Sequence, residues 1–177
     1  LVEYTRTRIR SGLPSDAEVD LGPMIDTAAA QRIESLLQTA VRGGARLLCG
    51  GGRKHAFVEP TIVEGAKETD AVVCEEVFAP VLALESYQTF EEAVARINAS
   101  PYGLQAGVFT NDFNLAWNSF NQLEMGAVLI NQVPTWRTEN MPYGGIKDSG
   151  LGREGIRSAM EEMTEPRCWI WKQPGRS

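Results

Sequence analysis

A carboxylate and an aromatic ring stand two residues apart in Cys74-Glu75-Glu76-Val77-Phe78-Ala79-Pro80-Val81. In an extended segment residues i and i+2 share a face, so Glu76 and Phe78 are expected to point the same way. A carboxylate accepts two hydrogen bonds from a vicinal diol. A flat apolar ring two positions on backs the face of a planar heterocycle. The pair therefore makes half of a site for a ribose that carries an aromatic base.

Other candidate motifs carry less. Gly150-Leu151-Gly152-Arg153-Glu154-Gly155 matches G-x-G-x-x-G, but a dinucleotide fingerprint needs a strand directly before it and a βαβ unit after it. Gly144 to Ser149 does not read as a strand, and too little chain follows. The motif is expected to be a tight glycine loop entering a helix, with Glu154 near the positive helix end. Gly50-Gly51-Gly52-Arg53-Lys54 lacks the Gly-Lys-Ser/Thr of a phosphate loop and reads as a surface turn. His55 is the one histidine and has no Cys or acidic cluster at ligand spacing, so no metal site is expected. Cys74 precedes two carboxylates, the wrong neighbours for a nucleophilic thiolate, with no nearby histidine to serve as base.

The elements that must position Glu76 and Phe78 follow from periodicity and punctuation. A short N-terminal helix ends at Gly12-Leu13-Pro14-Ser15-Asp16. Ile25, Ala29, Ile33, Leu36, Leu37 and Ala40 recur at helical spacing, and Gly43-Gly44 stops that helix. Strands are expected at 45–49, 58–63 and 81–87. Thr89 with Glu92 forms a capping box ahead of Ala93, Val94 and Ile97. A strand at 105–110 precedes a helix capped by Asn111-Asp112, and Ala127 to Asn131 is an apolar strand. Pro134 to Gly152 is a long loop, Arg153 to Met163 the last helix, and Arg167 to Lys172 a final strand. Strands alternating with helices predict an α/β fold with an open, largely parallel sheet flanked by helices and a C-terminal extension strand. No inner domain boundary is visible.

Composition limits the partners. A length of 177 residues with 43% hydrophobic and 23% charged residues suits one well-filled globular domain. The net charge of −6 disfavours nucleic acid and anionic membranes, and no apolar run is long enough to span a bilayer. The first eight residues place charges where a signal peptide needs an apolar stretch. Cys49 and Cys168 lie in apolar runs, as expected for buried free thiols in a reducing cytoplasm. The chain begins without methionine inside a helical pattern, which reads as a piece of something longer.

Two segments together resemble the aldehyde dehydrogenase superfamily. Glu75 to Val81 resembles its E-E-[IV]-F-G-P-V signature, and Pro142 to Gly155 is similar to its P-[FY]-G-G-x-K-x-S-G-x-G-R-E-G loop. Leu21-Gly22-Pro23-Met24-Ile25 and Ser100-Pro101-Tyr102-Gly103-Leu104 match in the same order, so the resemblance runs from about Leu1 to Lys172. It implies an enzyme that oxidises an aldehyde to a carboxylic acid with NAD or NADP. Glu76 would bind the nicotinamide ribose hydroxyls and Phe78 would pack near the nicotinamide ring. Asn131 would hold loops near the site, and Gln132 to Tyr143 would line the aldehyde entrance with Trp136, Arg137 and Tyr143. Residues 1–164 would be the C-terminal part of the catalytic domain, and 165–177 an oligomerisation-type strand and tail.

The resemblance also implies an omission. The nucleophilic cysteine, the water-activating glutamate and the Rossmann domain of the family lie upstream of where this chain begins. Cys49, Cys74 and Cys168 stand outside the nucleophile context, so no catalytic residue is assigned and the chain alone is expected to be inactive. Ala79 replaces the family glycine, a minor change unless φ must be positive there. Arg137 suits either an anionic aldehyde or a surface salt bridge to Glu139 or another acid. Trp169, Ile170 and Trp171 suit either pairing with another subunit, giving a homo-oligomer, or packing within the chain. A non-catalytic assembly module derived from the same fold is the other reading, and the coding sequence upstream of Leu1 discriminates the two.

Overall fold

The computed structural model describes residues 1–175, so the end of the expected 165–177 tail, Arg176 and Ser177, lies outside the described residues. The chain forms two compact units, Leu1–Tyr87 and a second beginning at Gln88. The boundary falls in a short connection with no Pro, Gly or charge run, which is why the sequence pattern shows none there.

The first unit contains, in order, α1 (Val2–Arg8), α2 (Thr27–Arg42), β1 (Arg46–Cys49), β2 (Arg53–Lys54), β3 (Phe57–Val58), β4 (Thr61–Glu64), α3 (Ala71–Cys74) and β5 (Val81–Leu84). Helix α2 starts where the Asp26 carboxylate accepts the Ala29 N–H at 2.7 Å, an N-cap that satisfies one orphan donor. It stops at Gly43-Gly44, Gly44 having φ 109°. Its inner face, Ala30, Ile33, Leu37 and Ala40, packs with Ala45, Val58, Val63, Ala66 and Val72 into one core. Burying side chains such as Ile33 and Leu37 stabilises by about 1.5–3 kcal/mol each. Strand β4 is the centre of the sheet, antiparallel to β1 and parallel to β5. The extended run expected at 58–63 divides at Pro60, which cannot donate to a ladder. On one side β3 pairs with β2 in a hairpin, and on the other β4 enters the sheet.

The second unit contains α4 (Phe90–Ala99), β6 (Tyr102–Gly103), β7 (Gln105–Val108), α5 (Phe113–Gln122), β8 (Ala127–Ile130), β9 (Ile146–Lys147) and α6 (Ile156–Glu162). Thr89 Oγ1 accepts the Glu92 N–H at 3.2 Å, while the Glu92 carboxylate accepts from Gln88 N–H at 2.8 Å, a capping box displaced by one residue. The Asp112 carboxylate caps α5 through Asn114 N–H and Leu115 N–H. Strands β7 and β8 are parallel, with α5 as their crossover, whereas β6 and β9 are antiparallel. Val94, Ser119, Leu123 and Leu129, in this unit's helices and strands or beside them, are buried. The fold is α/β with a partly parallel sheet, the class that the alternation of elements predicts.

The C-terminal segment departs from expectation. Arg167 to Lys172 forms no ladder among the described residues, because a strand exists only with a partner edge. Trp169, Ile170 and Trp171 stand in solvent at 85%, 85% and 75% exposure. Cys168 is exposed with them, against the burial expected from its apolar run, while Cys49 is buried as expected. The last helix begins at Ile156 rather than Arg153, after the glycine loop has ended. No helix of the described residues is long and apolar enough to cross a membrane.

Close backbone approach controls the second unit. A Cβ built on Gly126 would overlap the carbonyl oxygen of Gly144 and come within 2.9 Å of Leu104 O. Gly126→Ala is expected to cost about 1–3 kcal/mol as overpacking, whereas Gly22→Ala meets only a 3.8 Å contact and stays near wild type. Urea unfolding of both variants measures this, and a wild-type midpoint for Gly126→Ala refutes it.

Candidate functional site

The acidic-aromatic segment lies between α3 and β5. Cys74 is the last residue of α3 and Glu75 is extended, with φ −113° and ψ 158°. Phe78 then adopts φ 52°, a left-handed conformation rare for a bulky residue. The segment is therefore not extended throughout, and simple alternation does not carry Phe78 onto the face of Glu76. Packing provides the order instead. Val77 and Ala79 rest against the core of the first unit, while Glu76 and Phe78 face solvent, Phe78 at 80% exposure. The positive φ sits on Phe78, so Ala79 needs no glycine-like freedom.

The two glutamates differ. Arg32, on α2, donates from Nη2 to Glu75 Oε2 at 3.1 Å and from Nη1 to the Val77 carbonyl at 3.4 Å. Glu75 is thus part of a clasp that ties the segment to α2. Glu76 has no hydrogen-bond or ion-pair partner among the described residues and is the carboxylate open to a ligand. Beside it, Phe78 lines an open pocket of about 350 Å³ with Pro23, Met24, Ile25, Arg32 and Val77. The fold brings Pro23-Met24-Ile25 and the acidic-aromatic segment, far apart in sequence, to one pocket. Cys74 is exposed, its thiol donating to Thr69 O at 3.6 Å. His55 is a hairpin turn residue with φ 54°.

In the second unit the carboxyl ends of the parallel strands β7 and β8 lie side by side, the place where α/β sheets bind ligands. Asn131 follows β8 with φ 54°. Its Oδ1 accepts the Thr110 N–H at 2.9 Å and its Nδ2 donates to Thr110 O at 2.8 Å. One side chain thus satisfies both backbone groups of Thr110 and clamps the two strand ends. Gly107 leaves room for the loop that departs, since a Cβ there would meet Gln132 O at 2.5 Å.

That loop, residues 132–143, is closed by an exchange of backbone bonds. Tyr143 N–H donates to Glu154 O at 3.1 Å and Glu154 N–H to Tyr143 O at 2.6 Å. Arg137 lies with Cζ 4.4 Å from the Tyr143 ring centre and Nη1 3.3 Å from Glu154 Oε2. The stacked guanidinium contributes about 0.5–1 kcal/mol and the exposed ion pair about 0–1 kcal/mol. Its Nε and Nη2 have no partner among the described residues. Trp136 is half-exposed, its carbonyl accepting from Gln105 Nε2 at 3.4 Å.

The G-x-G-x-x-G run is a glycine loop that leads into α6, as expected, and the residues around it have structural work. Lys147 Nζ donates to Asn98 O at 2.7 Å and Ser100 O at 3.2 Å, at the C-terminus of α4 where a cation suits the helix dipole. Ser149 Oγ accepts the Gly103 N–H at 2.9 Å, and Arg153 Nη1 donates to Gly145 O at 2.9 Å. Glu154, expected only to sit near a helix end, is also the partner of Arg137. Sequence reasoning missed this pairing and the Arg32 clasp. Both span separations of seventeen residues or more, without a periodic signal.

Comparison with known proteins accords with this geometry. The model of the Aldehyde dehydrogenase family matches residues 1–168. A 3-sulfolactaldehyde dehydrogenase of Priestia aryabhattai is 42% identical over 90% of this chain and 33% of that protein. A lactaldehyde dehydrogenase of Methanococcus maripaludis strain C5 is 44% identical over 96% of this chain and 36% of that protein. The crystal structure of aldehyde dehydrogenase 21 from Physcomitrella patens, in complex with its reaction product succinate, superposes with a TM-score of 0.94 at 41% identity. That match covers 98% of this chain and 36% of that one. The chain spans about a third of the length of these relatives.

Asn131→Gly keeps the left-handed backbone but removes both bonds to Thr110. It is expected to destabilise by about 1–2 kcal/mol and to speed exchange of the Thr110 amide about tenfold. Native-state hydrogen exchange reads this directly, and undiminished Thr110 protection contradicts the clamp.

Proposed function

The chain belongs to the aldehyde dehydrogenase family, and we propose that it is the part of an NAD(P)-dependent aldehyde dehydrogenase that orients the nicotinamide end of the cofactor and lines the substrate entrance. One observation carries the reading: Val77 and Ala79 anchor the segment in the core while Glu76, unpartnered, and Phe78 are left to a ligand. Glu76 would hold the nicotinamide ribose hydroxyls and Phe78 would lie near the ring. The exposed carboxylate and the apolar pocket at Phe78 fit a diol attached to a flat heterocycle. The bound nicotinamide supplies the hydride acceptor. This chain's part is orientation: a two-point contact restricts rotation of the ligand, the proximity contribution to catalysis. Arg32 supports it by holding Glu75 and the Val77 carbonyl.

The substrate would be a small polar aldehyde. Relatives named for lactaldehyde and 3-sulfolactaldehyde, and one holding succinate, span neutral and anionic forms. The free N–H donors of Arg137 suit a carboxylate or sulfonate, with Trp136 and Tyr143 completing the loop and Asn131 holding its base. The ion pair to Glu154 occupies one nitrogen and leaves the rest of the guanidinium for a substrate. The reacting cysteine and the water-activating glutamate would come from sequence outside these residues, since none of Cys49, Cys74 and Cys168 has the family context. Exposed Trp169, Ile170 and Trp171 suit pairing with another subunit in a homo-oligomer, and the free thiols suit a reducing cytoplasm.

In the complete enzyme Glu76→Gln is expected to slow single-turnover hydride transfer about tenfold, the order of one lost charge-assisted contact. An unchanged rate would sink the orienting role. The 177-residue chain alone is expected to oxidise no aldehyde. Cysteine-dependent NADH production by the purified chain would show that it carries its own nucleophile.

A further inference from the structure

Arg137 is the cation of the entrance loop, and two groups hold it from one place. Its Nη1 lies 3.3 Å from Glu154 Oε2 and its Cζ 4.4 Å from the Tyr143 ring centre. Tyr143 and Glu154 are joined through both backbone bonds, so ring and carboxylate form a single support. Glu139 is far nearer to Arg137 in sequence, yet the ion pair goes to Glu154. The backbone bridge selects the partner. Glu154 also sits between Gly152 at φ 72° and Gly155 at φ 116°, conformations that glycine adopts at no steric cost. The main chain there is set independently of the carboxylate it aims.

We propose that Glu154 is a positioning residue that sets how strongly Arg137 discriminates anionic from neutral aldehydes, an inference that rests on Arg137 receiving the substrate's anionic group. An arginine on an exposed loop samples many rotamers, few of which present the guanidinium to a ligand. Held at Nη1 and over a ring, it offers Nε and Nη2 from one orientation. The same carboxylate opposes an incoming anion, because its charge cancels part of the positive field of Arg137. Glu154 therefore has two opposed effects. Orientation raises selectivity for anions, and charge restrains it. Glutamine retains an acceptor for Nη1 but drops the charge, while alanine removes both, so the two substitutions separate the effects.

The test uses the labelled 177-residue chain in solution, with succinate as the anionic probe and succinamide as its neutral counterpart. The Tyr143 ring current shifts the Arg137 side-chain protons upfield in the wild type. Glu154→Gln is expected to keep that shift and bind succinate about threefold more tightly, solvent screening holding the gain below tenfold. Glu154→Ala is expected to lose the shift and bind succinate about threefold more weakly, with succinamide unaffected in either variant. An unchanged ring shift in Glu154→Ala overturns the positioning role. Equal succinate affinity in Glu154→Gln and wild type overturns the charge role. Arg137→Ala judges the underlying reading separately: if it binds succinate as the wild type does, Arg137 is not the anion receptor, while the ring shift in the Glu154 variants still reports whether Glu154 holds Arg137.

Discussion

Tyr143 and Glu154 exchange two backbone hydrogen bonds, and the conformation of the loop at 132–143 depends on that exchange. It closes the loop that leaves β8, sets the Tyr143 ring under Arg137, and aims the Glu154 carboxylate at the same guanidinium. The closure is possible only where side chains are missing. Gly126 lets the Gly144 carbonyl approach, and Gly144 in turn clears Gly152 O, which a Cβ would meet at 2.6 Å. Arg153 and Ser149 then satisfy the backbone groups of Gly145 and Gly103, so the tight approach leaves few polar atoms unpaired.

The first unit solves a related problem differently. The carboxylate of Glu76 and the ring of Phe78 stand in solvent while their segment is held in place. Val77 and Ala79 enter the core, Arg32 ties down Glu75 and the Val77 carbonyl, and the left-handed Phe78 turns the chain toward β5. A strained residue persists only where its surroundings over-determine it, and such residues gather at binding sites. The neighbouring glutamates share a residue type but differ in their work, Glu75 being structural and Glu76 open to solvent.

Much of the fold was legible because its signals are local. The Thr89 and Asp112 caps, the helical spacing of Ile33 and Leu37, and the alternation of strands with helices each need only a few neighbouring residues. The division of the chain at Tyr87 and the split of the 58–63 run were not legible, since they depend on which edge each strand finds. Cys168 and the Trp169-Ile170-Trp171 run show the same limit. An apolar pattern says that burial is favourable, not that a surface is there to accept it.

By itself the sequence determined the class of the fold and the two motif segments, and it singled out Glu76 and Phe78 as candidates, because residue type and short spacing carry that information. Tertiary structure alone decided which glutamate is free and that Phe78 lies outside a regular strand. It also decided that Pro23 to Ile25 shares the pocket of Phe78 and that Arg137 pairs with Glu154 rather than Glu139. Those outcomes require groups distant along the chain to meet. A hydrogen bond or ion pair depends on distance in space, which sequence separation does not encode.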